Sequence, residues 1–207
     1  MLIHIHPDNP EPRKINIVSE CLKDGGIIIY PTDTVYTLGC DLYNHVAIDK
    51  VSRIKNIDPK KANYSLVCYD LSHISDFVFS IDTPVYRVMK KALPGPFTFI
   101  LRANNNVPKI FKSKKKTIGI RVPDNTICKS IVKVLGNPIT STSIHNLKDI
   151  NEYIRDPEII YEKYGDLVDI VIDGGFGNVV PSTVLDCTDN DITVIRQGIG
   201  NTDNILY

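Results

Sequence analysis

The chain has 207 residues, 43% of them hydrophobic and 23% charged, which suits one large domain able to bury roughly 70% of its unfolded surface. Lysine plus arginine and aspartate plus glutamate each number 24, so net charge supplies no general attraction to nucleic acid or to an anionic membrane, and no run approaches the ~18 consecutive apolar residues of a membrane span. The five cysteines, at 21, 40, 68, 128 and 187, are odd in number and form no Cys-x-x-Cys pair, which argues against a disulfide framework or a structural zinc site.

The opening MLIHIHPDNPEPRK lacks the charged and then apolar pattern of a secretory signal, and a cytoplasmic location is expected. His4 and His6 would share one side of a strand, but with no third ligand nearby no metal site is expected. Over residues 13–24, Ile15, Val18 and Leu22 fall at helical spacing before Asp24-Gly25-Gly26 closes the helix. Residues 26–30, Gly-Ile-Ile-Ile-Tyr, form a short apolar run stopped by Pro31, the pattern of a strand buried on both faces. Thr32, Asp33, Thr34 and Tyr36 follow, with Gly39 at the far edge. Two readings of this segment stand: a turn capped by its own side chains, or the polar lining of a pocket at a strand end.

The spacing of Val46, Ile48, Val51 and Ile54 predicts a helix over 45–55, capped by Asn44 and ended before Asp58-Pro59. A strand over 64–69 and a short helix from Asp70 come next, then a helix over 83–93, a turn at Pro94-Gly95-Pro96 and a strand over 97–102. Lys109, Lys112, Lys114, Lys115 and Lys116 make an acid-free run, read either as a solvated loop face or as a contact to RNA phosphates. Beyond it the pattern predicts a strand over 117–123 ending in Arg121, a helix over 125–135, and a strand-like start at Ile139 followed by Thr140, Ser141, Thr142 and Ser143. Residues 147–164 read as a polar helix, 167–175 as a buried strand, Gly174-Gly175-Phe176-Gly177 as a turn, and the runs on either side of Asp189-Asn190-Asp191 as a hairpin. Helical crossovers together with a hairpin predict one α/β domain built on a twisted mixed sheet flanked by helices.

No phosphate-binding GxxxxGK[ST] loop, GxGxxG fingerprint, HExxH or GxSxG elbow is present. What remains is a set of polar residues at strand and helix ends: Thr32, Thr34, Lys55, Arg121, Ser141, Ser143, Ser182 and Arg196. Cations and hydroxyls without a nucleophile and base pair suit a site that binds anions and positions reactants.

In their order along the chain, PTDTVYTLG, Lys55, PGPFTFIL, TIGIRVPDN, TSTS, PSTVLDCT and VIRQGIG resemble the YrdC family of threonylcarbamoyl-adenylate synthases, and the segment SLVCYDLSHIS is most similar to the YciO branch. The resemblance covers residues 13–200, with 1–12 as an N-terminal extension and 201–207 as a tail. It implies a YrdC-like α/β (α+β) fold with a concave, positively charged cavity. The implied reaction joins L-threonine, bicarbonate and ATP into threonylcarbamoyl-adenylate and pyrophosphate, for threonylcarbamoyladenosine modification of tRNA. Thr32, Thr34 and Ser182 are then expected to hold threonine, with Arg121 on its carboxylate. Lys55, Ser141, Ser143 and Arg196 are expected around the nucleotide, and Lys55, Arg121 and Ser143 form the catalytic set. Magnesium is expected with ATP, and no metal site of the protein's own.

The chain departs from the family pattern in three places. The KxR and SxN motifs read Lys55-Asn56-Ile57 and Ser143-Ile144-His145, and a position usually held by histidine is Tyr69. A lost charge-assisted contact is worth roughly 1.5 to 3 kcal/mol. Alternative readings are a nucleotide-binding, tRNA-binding or double-stranded-RNA-binding protein that keeps the cavity without catalysis, and an adenylate hydrolase with His145 as base.

Overall fold

A computed structural model describes residues 1–58, 64–109, 116–144, 154–189 and 191–206. In chain order its elements are β1 (Leu2–His4), α1 (Pro12–Lys23), β2 (Ile28–Tyr30), β3 (Thr37–Asp41), α2 (His45–Ile54), β4 (Ser65–Val67), α3 (Leu71–Ser75), α4 (Thr83–Ala92), β5 (Phe97–Arg102), β6 (Thr117–Arg121), α5 (Thr126–Leu135), β7 (Ile139–Ser143), α6 (Pro157–Tyr164), β8 (Ile170–Asp173), β9 (Thr183–Asp186), β10 (Thr193–Arg196) and α7 (Asp203–Leu206). The strands form one sheet in the order β1-β8-β2-β3-β7-β4-β6-β5-β9-β10. β8 runs parallel to β1 and β2, β4 to β6, and β5 to β9, while β3 and β7 are antiparallel to each other and to their outer neighbours. The mixed sheet flanked by helices is the expected architecture, and β9 with β10 forms the expected hairpin.

Alternation along each strand gives the sheet two unlike faces. One carries Ile29, Leu38, Cys40, Leu66, Phe99, Ile118, Ile120 and Leu185 into a large apolar core with residues of α2, α4 and α6. On the other, α1 and α5 cover Ile28, Tyr30, Val67 and Ile139 through Ile15, Val18, Leu22, Ile127, Ile131 and Leu135. The α5 helix starts where Asn125 accepts a 2.9 Å bond from the Cys128 backbone amide and stops at Gly136, whose φ of 79° is a left-handed cap.

Two strands were not legible in the sequence pattern. β3 pairs antiparallel with β2 through Ile28↔Gly39 and Tyr30↔Thr37, so Gly39 sits inside a strand and not at the rim of a loop; only residues 31–36 connect the two strands. Thr, Gly and Asp at the other positions of β3 mask its buried Leu38 and Cys40. β1 lies in the segment read as an extension and pairs with β8. Because β1 ends at His4, the two N-terminal histidines do not share a strand face: His4 lies 3.3 Å from the Asp173 carboxylate, while His6 accepts backbone bonds from Asp8 and Asn9. The polar helix expected over 147–164 is observed as Pro157–Tyr164, its first residues to 153 lying outside the described ones. In the C-terminal tail α7 buries Ile205 in the larger core. No helix among the described residues is long and apolar enough to cross a membrane.

Candidate functional site

Beyond the part covered by α1 and α5, the second sheet face continues as a row of small residues. The register places Gly39, Ser141, Ser65 and Gly119 side by side across β3, β7, β4 and β6. A Cβ on Gly119 would come within 2.8 Å of the Ser65 hydroxyl and 3.2 Å of the Thr98 methyl, and Thr98 lies 2.8 Å from the Ser182 hydroxyl. Both ends of the row are glycine because neighbouring side chains occupy the space a Cβ would need. The sequence-predicted residues gather along this row in three groups.

The first group joins the loop after β2 to the end of β6. Thr32 is a turn cap: its hydroxyl accepts from the Thr34 amide at 3.1 Å and donates to the Val35 carbonyl at 2.8 Å, an arrangement typical of short polar side chains. That turn presents the Thr34 hydroxyl, 3.0 Å from Thr32, to Arg121, whose Nη2 donates to it at 2.9 Å. The same Nη2 donates to Asp33 Oδ1 at 2.9 Å, and the other Asp33 oxygen accepts from the Asp124 amide at 3.0 Å. The Arg121 and Asp33 side chains are only 7% and 9% exposed. Burial holds the Asp33 carboxyl above its ordinary range, with the Arg121 guanidinium opposing. The buried Arg121 Nε–H has no partner among the described residues. The capped-turn reading is seen at Thr32, while the Thr34 side chain is fully buried with its hydroxyl on Arg121.

The second group is Lys55 at the end of α2, whose ammonium donates to the Ser143 carbonyl at 2.7 Å; burial pushes its pKa down. Ser143 faces Thr37 in the register, and Ser141 lies two residues back on the same face. In the third group, Arg196 donates through Nε and Nη2 to the Ser182 carbonyl at 3.1 and 2.9 Å and through Nη2 to the Ser182 hydroxyl at 3.3 Å. Arg196 thus anchors the segment that carries Ser182.

Asp33 and Tyr36, which the sequence offered only as part of the polar run after β2, are further functional candidates. Tyr36 donates to the Gly175 carbonyl at 2.7 Å and accepts from the Gly174 amide at 3.3 Å, and the Asn178 amide donates to the Thr34 carbonyl at 2.9 Å. The glycine-rich turn is thereby tied to the Thr34 loop. A Cβ at Gly177 would lie 2.7 Å from the Tyr36 ring, which explains that glycine. Of the family departures, Ile57 is 41% exposed beyond the end of α2 and Tyr69 stacks on His73 at 4.4 Å. His145 and Lys112, Lys114 and Lys115 lie outside the described residues. A separate cleft of about 700 Å³, floored by Val85, Leu101 and Cys187 and rimmed by Arg102, Lys116 and Asp189, contains none of the predicted site residues.

A family model named for Sua5, YciO and YrdC and described as telomere recombination matches residues 20–198. The chain is 40% identical over 205 residues to the YciO protein of Escherichia coli, covering 98% of each, and superposes on the crystal structure of that protein with a TM-score of 0.92 over 100% of this chain and 99% of the other. It is 30% identical over 165 residues to a threonylcarbamoyl-AMP synthase of Coxiella burnetii, covering 80% of this chain and 87% of the synthase. The fold also matches P. abyssi Sua5 complexed with L-threonine, at 22% identity and a TM-score of 0.86, over 96% of this chain and 57% of that one.

Proposed function

Because the chain belongs to the Sua5/YciO/YrdC family, we propose that it forms an acyl adenylate of the threonylcarbamoyl type, from L-threonine, bicarbonate and ATP with release of pyrophosphate. The observation that carries this reading is the Arg121 guanidinium, buried beside Thr34 with its Nε–H unpartnered among the described residues. A buried guanidinium N–H without a partner among the described residues suits a carboxylate, which accepts charge-assisted bonds, and the adjacent Thr34 hydroxyl suits a small polar amino acid. The complex of P. abyssi Sua5, which shares this fold, with L-threonine supports threonine as that amino acid.

In this reading Lys55, held at the end of β7, meets the nucleotide phosphates with Ser141 and Ser143, where charge grows as pyrophosphate leaves. Arg196 acts by fixing Ser182. ATP enters as its magnesium complex. In this reading the ion is carried on the nucleotide's phosphate oxygens, as magnesium is in nucleotide sites. The adenylate serves tRNA modification in the cytoplasm.

A second reading, ligand binding without turnover and with nucleotide or RNA as the ligand, is favoured by one observation. The family's arginine position holds Ile57, apolar and exposed at the end of α2. One assay separates the two: purified protein with ATP, bicarbonate and L-threonine, read for both pyrophosphate and the adenylate by chromatography. Threonine-dependent release of both, abolished by Arg121→Ala, is the expected result. ATP or RNA bound tightly with no pyrophosphate would leave the second reading standing.

A further inference from the structure

Asp33 stands beside the carboxylate-binding arginine with no evident partner in the reaction itself. Each of its two oxygens accepts a bond, one from Arg121 Nη2 and one from the Asp124 amide, so it ties the loop after β2 to the loop after β6 and fixes the orientation of the guanidinium, whose Nε–H is left without a partner among the described residues. The buried pair is neutral as it stands. A ligand carboxylate arriving at Arg121 Nε puts two anions on one buried cation, and like charges sharing a site cannot both stay ionised at no cost. We propose that Asp33 is a positioning residue for Arg121 and that binding of a carboxylate ligand there is coupled to uptake of one proton by the Asp33 carboxyl. The inference rests on the reading of Arg121 as the carboxylate partner.

The surroundings leave Asp33 as the group to take that proton. Facing the pair are Tyr30 from β2, Asp124 from the loop before α5, and Cys128 from α5. Asp124 is 67% exposed and pairs with Lys129 at 3.1 Å, so water and a lysine already stabilise its charge. The Tyr30 hydroxyl and the Cys128 thiol are held protonated by burial and have no proton to gain. Burial favours the neutral form of Asp33 even before a ligand arrives, in line with the direction of the coupling. The proton comes from solvent and forms an O–H bond on the Asp33 oxygen; the ligand stays ionised and is paired with Arg121.

Calorimetric titration of the full chain with L-threonine, in buffers of different ionisation enthalpy, tests this. Parallel runs with 3-hydroxybutyrate, the same acid without the amine, exclude protons released by the ligand's ammonium. Uptake approaching one proton is expected with both ligands, and above the Asp33 titration the affinity should weaken by about tenfold per pH unit. Asp33→Asn should bind with no proton uptake and no such pH dependence. Binding without uptake in the wild type, or uptake retained in Asp33→Asn, would overturn the coupling. Failure of both ligands to bind a folded protein would overturn the assignment of Arg121 instead. If Asp33→Asn does not fold, the wild-type uptake measured with 3-hydroxybutyrate still decides, because that ligand carries no proton of its own to exchange.

Discussion

Replacing Arg121 with alanine strands the carboxylate of Asp33 in a position that is 9% exposed. The consequence is calculable without reference to activity. Removing one partner of a buried ion pair costs about 3–5 kcal/mol, because the remaining charge has neither water nor counter-ion. Asp33 keeps backbone amide bonds but no counter-ion, and Thr34 loses its donor as well. The penalty depends on pH in a defined direction. Burial already raises the Asp33 pKa in the folded protein against the opposition of Arg121; without the arginine it rises further. A carboxyl with a raised folded pKa contributes stability that is present below the unfolded value and is lost as pH rises through the folded one. The variant's deficit should therefore be largest near pH 8 and shrink as pH falls toward 5, by at most about 1.4 kcal/mol per pH unit. Urea unfolding of both proteins across that range measures it. A second variant that also replaces Asp33 with leucine should recover most of the loss, since it removes the stranded charge. A deficit below about 1 kcal/mol at pH 8, or one that does not change with pH, would refute the buried pair as described.

Three further outcomes are expected. Gly39→Ala should destabilise by about 1–3 kcal/mol in thermal or urea melts, because its Cβ would lie 2.6 Å from the Ile139 side chain and 3.0 Å from the Thr140 carbonyl; an unchanged midpoint would contradict the close strand approach. Lys55→Met should be compared with the wild type between pH 8 and 10.5: burial lowers the folded pKa of Lys55, so the wild type alone gains stability as pH rises toward the unfolded value, and a gap that stays flat or moves the other way would place Lys55 in water. Native thiol labelling should reach at most Cys21 and Cys187, since Cys40, Cys68 and Cys128 are buried and burial raises the Cys40 and Cys128 thiols to about 12; mass spectrometry after brief modification would reveal any of the buried three reacting before unfolding.

Elements that carry their own local signal were legible in the sequence. The α5 helix has an asparagine cap, a hydrophobic stripe and a terminal glycine, and β5 has a proline turn before it and four apolar residues among its six. The β9–β10 hairpin has alternation in the runs on either side of Asp189-Asn190-Asp191 in the sequence. β1 and β3 were missed because a three-residue strand and a strand of Thr-Leu-Gly-Cys-Asp present almost no periodicity; the β2 and β7 neighbours of β3, not its own residues, make it a strand. Gly39 illustrates the difficulty. In the sequence it reads as a loop boundary, whereas in the fold it is glycine because the Tyr30 ring and the Ile139 side chain occupy the place of its Cβ.

The site followed a similar division between residue type and pairing. Its hydroxyls and cations were identifiable because so many occur at the ends of apolar runs, but the bonds that give each one its task span 87 or 88 residues in the cases of Thr34 with Arg121, Asp33 with Arg121, and Lys55 with Ser143. Nothing local in the chain encodes those partners. The geometry consequently divides residues that looked equivalent. Thr32 and Arg196 hold backbone in place, whereas the Thr34 hydroxyl meets Arg121 and the Ser182 hydroxyl meets Thr98, and Asp33 passes from a loop carboxylate to the group that orients Arg121. Because Arg121 keeps one edge on Asp33 and Thr34 and one buried N–H without a partner among the described residues, its charge is committed in position but not in full. That is the condition under which a second carboxylate can bind in a defined orientation and still be released.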